Sequence, residues 1–162
     1  MQPGSQRPGN IPHRIEPTGI FTGLKVRPIV IGVVVDYVAT YVAMYAWIVI
    51  FVSKQLSEQG EFSEETLQNF LRSPEGLLIG FVIGTLCTAL GGFVAGRLAK
   101  DVEIKHGAIV GVGSLIVSAL EQAMSGGGAS QPQWYLVVSS LAIVPAGALG
   151  GYIAERLKRK WV

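Results

Sequence analysis

Four runs of apolar residues, separated by polar segments, set out the chain. They cover about 28–52, 75–98, 106–123 and 134–157. A helix needs roughly 20 apolar residues to cross a bilayer, and the third run sits at the lower end of that range. The pattern predicts an all-α integral membrane protein with four transmembrane helices in two related helical hairpins. Residues 1–26, rich in proline and polar side chains, have no apolar period and read as a flexible cytoplasmic tail before a transmembrane domain at 27–162. The tail is too long and polar for a cleavable signal peptide.

The polar segments carry their own signals. In 53–73, Phe62, Ser63 and Leu67 have the spacing of a hydrophobic staple around an N-cap, followed by Glu64 and Glu65. A short amphipathic helix is expected there, on the membrane surface or over the bundle. Ser73 followed by Pro74 and Glu75 starts the second span. The charged turn 99–105 is short, so the second and third spans are antiparallel neighbours. The segment 125–133 is an uncharged connector, and Pro145 is expected to kink the fourth span.

The second span has a small residue at every fourth position: Gly76, Gly80, Gly84, Thr88, Gly92 and Gly96. Gly147 and Gly151 continue the spacing on the fourth span. In lipid, where apolar side chains gain nothing by leaving a solvent that is itself apolar, small residues let helix backbones approach and pack. These eight positions are the expected helix-packing residues, within the chain or towards a second subunit. No charge interrupts 76–94.

Leu90-Gly-Gly-Phe-Val-Ala-Gly-Arg-Leu98 recurs as Leu149-Gly-Gly-Tyr-Ile-Ala-Glu-Arg-Leu157, with six of nine positions identical. Ile29-Val-Ile-Gly-Val33 has a weaker echo in Ala108-Ile-Val-Gly-Val112. The arginine falls at the same end of both helices, which favours a duplicated hairpin related by an axis along the membrane normal. The segment 91–99, Gly-Gly-Phe-Val-Ala-Gly-Arg-Leu-Ala, with His106-Gly107 opening the next helix, resembles small bacterial four-span membrane proteins of unknown function. That resemblance covers the second span and the start of the third. It implies a multi-pass membrane protein and no particular activity.

Hydrophobic residues make up 49% and charged residues 15% of the 162 positions, and the charges cluster between the apolar runs. Of the 13 Lys and Arg, only Lys54 and Arg72 fall on the side that holds Glu58, Glu61, Glu64, Glu65 and Glu75. The excess of cations on the other side predicts that both termini are cytoplasmic, and the resemblance implies a bacterial inner membrane.

Candidate chemistry is sparse. Asp36 interrupts the first span, and an ionisable group at such depth is a functional candidate by default. It is either a proton or cation site or a structural acid, held neutral or paired with Arg97 or Arg156. Its position along the span puts it nearer the cytoplasmic face than the midplane. Arg97 and Arg156 are otherwise snorkelling residues or contacts for lipid headgroups. Tyr37 and Tyr41 are expected to face other helices, where their hydroxyls find partners. Glu121 is expected to be solvated, and His106 to sit at the interface. Cys87 reads as a small buried hydrophobe, and Gly126–Gly128 lack the lysine of a phosphate loop.

No Ser-His-Asp set, carboxylate pair or metal cluster can be assembled, so no enzyme, metal or cofactor is expected. The expected partners are membrane lipids and other membrane subunits, itself included, and not nucleic acid. The leading expectation is a non-enzymatic membrane protein that acts through packing and assembly, as a homo-oligomer or accessory subunit. The alternative is a small oligomeric channel or transporter using Asp36.

Overall fold

The structure, a computed structural model, describes residues 22–124 and 131–159. It contains five helices: α1 (Val26–Gln59), α2 (Glu64–Arg72), α3 (Pro74–Ala99), α4 (Glu103–Met124) and α5 (Gln133–Arg159). All but α2 are long and apolar enough to cross a membrane. Residues 1–21 of the tail, 125–130 of the connector and 160–162 lie outside the described residues.

The first helix is longer than its apolar run. Ser53–Gln59 contains helix-forming Lys, Gln, Leu and Glu and no Gly or Pro, so nothing stops α1 before Gly60. Gly60 takes the left-handed conformation, φ 73°, and its N–H bonds to the Leu56 carbonyl, closing the helix. The expected loop is therefore much shorter.

The α2 helix lies where the amphipathic pattern places it, but Ser63 makes no side-chain cap bond. Its anchor is aromatic: Phe70 stacks on Trp47 and Phe51 of α1, with centroids 5.1 and 4.6 Å away. Such ring pairs contribute about 0.5–1.5 kcal/mol beyond area burial. Phe70→Ala should release α2 and leave the spans intact, read as faster amide exchange confined to residues 61–73. Unchanged exchange there would mean that α2 is held by its backbone junction to α3.

That junction behaves as its sequence predicts, with Ser73 Oγ accepting from Gly76 N–H at 3.2 Å and Pro74 in the first turn. Helix α5 runs from Gln133 to Arg159 with Pro145 inside it.

The core is a three-helix unit of α3, α4 and α5, with α1 packed on α3 and α4. Both hairpin pairs touch, α1 with α3 and α4 with α5, yet α4 packs on α3 while α1 has no comparable contact with α5. The duplicated segments are also used differently. Gly91 lies against Gly32 and Asp36 of α1, whereas its counterpart Gly150 lies against Ala89 and Phe93 of α3.

Only part of the small-residue stripe is a close contact. A Cβ at Gly92 would overlap the Gly147 carbonyl, one at Gly147 the Gly107 carbonyl, and one at Gly151 the Glu103 carbonyl. At Gly96 it would sit 2.9 Å from the Ala154 Cβ. Gly76 instead packs under α2, against the Phe70 carbonyl, and at Gly80 the nearest atom is the Tyr135 hydroxyl at 3.3 Å. At Gly84 an added Cβ meets nothing within 4 Å, so the packing role expected there is not found. Continuous spacing along one helix does not imply continuous contact, because crossing helices diverge away from their point of closest approach.

Candidate functional site

The basic end of the bundle is closed by polar contacts to otherwise unpaired helix termini. Lys25 donates its N–H to His106 Nε2 at 2.9 Å and its ammonium to the Ala99 carbonyl at 2.8 Å, one of the orphan carbonyls ending α3. Nδ1 of His106 donates to the Val102 carbonyl at 3.1 Å, so both ring nitrogens are engaged and the imidazole is fully buried. It is not the interface residue its position suggests.

Glu103 is also buried, and Lys158 reaches it at 2.9 Å while donating to the Lys100 carbonyl. Arg97 and Arg156 are exposed at this same end, lying over the rings of Phe93 and Tyr152 at 6.0 and 5.2 Å. These ring contacts are matched in the two copies of the repeat. Neither arginine is a partner of Asp36, contrary to the pairing considered from sequence.

Asp36 is the centre of the molecule's one deeply buried polar cluster among the described residues that joins three helices. It is 4% exposed. Its Oδ2 accepts from Thr88 Oγ1 of α3 at 3.0 Å and from Ser114 Oγ of α4 at 2.5 Å. Its Oδ1 accepts from Thr40 Oγ1, one turn along α1, at 3.4 Å. Backbone proximity makes this reach possible. A Cβ at Gly91 would meet the Gly32 carbonyl and the Asp36 Cβ, so α1 crosses α3 in contact at this level. Short serine and threonine side chains can then span the gap.

The cluster also corrects the depth of Asp36. Ser114 lies half-way along α4, and Thr88 just past the middle of α3. The carboxyl is thus at mid-bundle, because α1 extends beyond the other helices at its far end and its own apolar run is a poor ruler.

A second polar group lies further towards the end that carries Glu58, Glu61 and Glu75, here the acidic end. Tyr41 donates to Glu121 Oε1 at 2.5 Å, so Glu121 is partnered and not merely solvated. The Tyr41 ring is exposed, against the inward-facing position expected, although its hydroxyl finds a partner on α4 as expected. The Tyr37 hydroxyl is buried beside Glu121 without a hydrogen bond of good geometry.

Thr88 was legible as a small residue but not as a donor. Thr40 and Ser114 carried only a weak signal, a small hydroxyl within an apolar helix, with Thr40 one turn from Asp36. Gly32, Gly91, Gly107, Gly111 and Gly150 lie outside the eight expected packing positions and still sit at close helix crossings.

Hydroxyls can donate to a carboxylate or accept from a carboxylic acid. The cluster can therefore hold Asp36 in either protonation state, and it can fasten three helices. Four helices of spanning length and composition, three of them joined by this mid-bundle polar knot, define a multi-pass membrane protein. No protein-family model, curated protein or solved structure matches the chain.

Proposed function

We propose that the chain is a non-enzymatic integral membrane protein that acts through helix packing and assembly, as a homo-oligomer or an accessory subunit of a membrane complex. The observation that carries this reading is the use of the Asp36 carboxyl. Its three hydrogen bonds all come from hydroxyls of its own bundle, at a level where helices cross in backbone contact. A polar group spent on joining helices serves architecture.

Assembly is supported by α1, which packs through one face and leaves Val34, Val38, Val42 and Tyr45 exposed on another. In this reading both termini lie in the cytoplasm of a bacterial cell, since Lys25, Arg27, Arg97, Lys105, Arg156 and Lys158 gather at the basic end. The basic side chains, Arg97 and Arg156 among them, meet anionic headgroups there.

Purified protein in sealed vesicles tests the proposal. Tyr45→Cys in a Cys87→Ser background should cross-link between chains in native membranes. Neither proton nor sodium flux should exceed that of empty vesicles. Cysteines placed at Lys25 and Gly60 should label from opposite sides, Gly60 from outside. Flux that disappears in a folded Asp36→Asn variant would replace this reading by the channel or transporter one.

A further inference from the structure

The two halves of the bundle are packed differently. Between Asp36 and Glu58 no residue of α1 is buried, and the same holds for α4 beyond Ser114 and for α5 before Ala146. On α3 only Gly76 and Leu77, beneath α2, are buried before Cys87. Every other buried residue lies from the Asp36 level to the basic end. Asp36, Thr88 and Ser114 therefore form the floor at which close packing begins.

Below that floor the way to the basic end is shut. A Cβ at Gly32 would meet Val110, the Gly91 carbonyl and Ala95 within 2.9 Å. Ala95, Ala99, His106 and Val110 have no exposed surface. Above the floor, Gly84 of α3, one turn from Thr88, opens on free space. Ser118 of α4, one turn from Ser114, is half-buried, and Glu121 follows on the same helical face. Opposite them on α1 are the buried Tyr37 hydroxyl, beside Glu121, and Tyr41, which donates to Glu121. Polar groups thus line the α1–α4 seam from Asp36 towards the acidic end, and apolar contact fills it towards the basic end.

Charge balance gives this asymmetry a consequence. The titratable groups around Asp36 are Tyr37 on α1, Cys87 on α3 and, beyond Tyr37, Glu121 on α4; α5 contributes none. None is a cation. Hydroxyl hydrogen bonds offset part of the cost of a carboxylate buried at mid-bundle, and a cation held beside it would neutralise the charge that remains.

We propose that Asp36, with the hydroxyls of Thr40, Thr88 and Ser114, binds one exchangeable monovalent cation, a proton or a sodium ion, and exchanges it only with the acidic end of the bundle. The site is closed towards the basic end, so binding produces no flux through the resting protein. The inference does not depend on the assembly reading.

Infrared spectroscopy of the full chain in vesicles tests it, because a protonated carboxylic acid has a carbonyl band that a carboxylate lacks. The expected result is a band present at low pH, lost on raising pH by about tenfold per pH unit above its midpoint, and absent in Asp36→Asn. The Asn variant also separates Asp36 from Glu121, Tyr37 and Cys87. If sodium chloride but not choline chloride lowers the midpoint, sodium competes for the site; if neither does, the ligand is the proton alone.

Ser114→Ala and Thr88→Val should keep the band and move its midpoint, because each removes a hydrogen bond to the carboxyl, and an unmoved midpoint would mean that these hydroxyls are not part of the site. In vesicles with one insertion orientation, the band should follow the pH on the acidic-end side only. An Asp36 signal invariant to pH and sodium overturns exchange, and one that follows the basic-end side overturns the direction. Cross-linking and flux are read separately, so failure of the packing proposal leaves this result standing.

Discussion

Gly150→Leu should be the most damaging single substitution in the chain, and Gly150→Ala should already be severe. A Cβ at Gly150 would overlap the Ala89 carbonyl of α3, with the Phe93 N–H only 2.7 Å away. Overpacking usually costs about 1–3 kcal/mol because side chains can shift. Here the obstacle is the backbone of a helix, so relief requires separating α3 from α5 and losing the Gly92–Gly147 contact as well. The expected loss from alanine is about 3 kcal/mol or more, at the upper end for overpacking.

Gly84→Ala is the matched control. Its Cβ meets nothing, and alanine favours a helix over glycine by up to about 1 kcal/mol. Unfolding by denaturing detergent from mixed micelles should therefore leave Gly84→Ala as stable as wild type or more so, and shift Gly150→Ala strongly down. Equal stability of the two variants would mean that α3 and α5 do not cross in backbone contact.

Asp36→Leu comes next. It leaves the Thr88 and Ser114 hydroxyls, both nearly fully buried, without their acceptor. Leaving buried donors unsatisfied costs about 1–3 kcal/mol each, reduced where a hydroxyl can turn to the carbonyl one helical turn back. Leucine also replaces the carboxyl oxygens by bulkier methyl groups where α1 crosses α3 at Gly91. A loss of about 2–3 kcal/mol is expected for Leu and about 1 kcal/mol for Asn, which keeps an acceptor.

Adding Thr88→Val and Ser114→Ala to Asp36→Leu should recover part of the loss, because removing every polar partner is milder than orphaning some of them. The double- and triple-mutant stabilities check this. If Asp36→Leu matches Asn, and the added changes only destabilise, the cluster does not fasten the helices.

The four spans were readable because each must satisfy its backbone internally and present apolar side chains to lipid, requirements written locally in consecutive residues. Ser73-Pro74 and Gly60 are likewise local, the one starting α3 and the other closing α1. The crossing points were not readable. Gly80 and Gly84 share the spacing of Gly92 and Gly96, yet only the latter pair lies against the backbone or Cβ of another span. Gly80 meets no more than the Tyr135 hydroxyl and Gly84 nothing, and nothing in a helix's own period says where a neighbour will cross it. Gly91 and Gly150 stand in the repeated Gly-Gly pair, but which glycine of each pair faces which helix depends on rotation about the axis.

Asp36 shows the same division. Its presence in an apolar run marked it without any structure, since an ionisable residue there is rare and must be compensated. Its compensation came from Thr88 and Ser114, 52 and 78 residues away in the chain. The sequence by itself determined four membrane-length helices, the gathering of cations at one end and the buried acid. Only the tertiary structure decided the hydroxyl partners, the mid-bundle depth and the contrast between a closely packed half and a more loosely packed one. Helix formation is governed by neighbours within a few residues, whereas contact between helices depends on register, rotation and crossing angle, which remote parts of the chain set together.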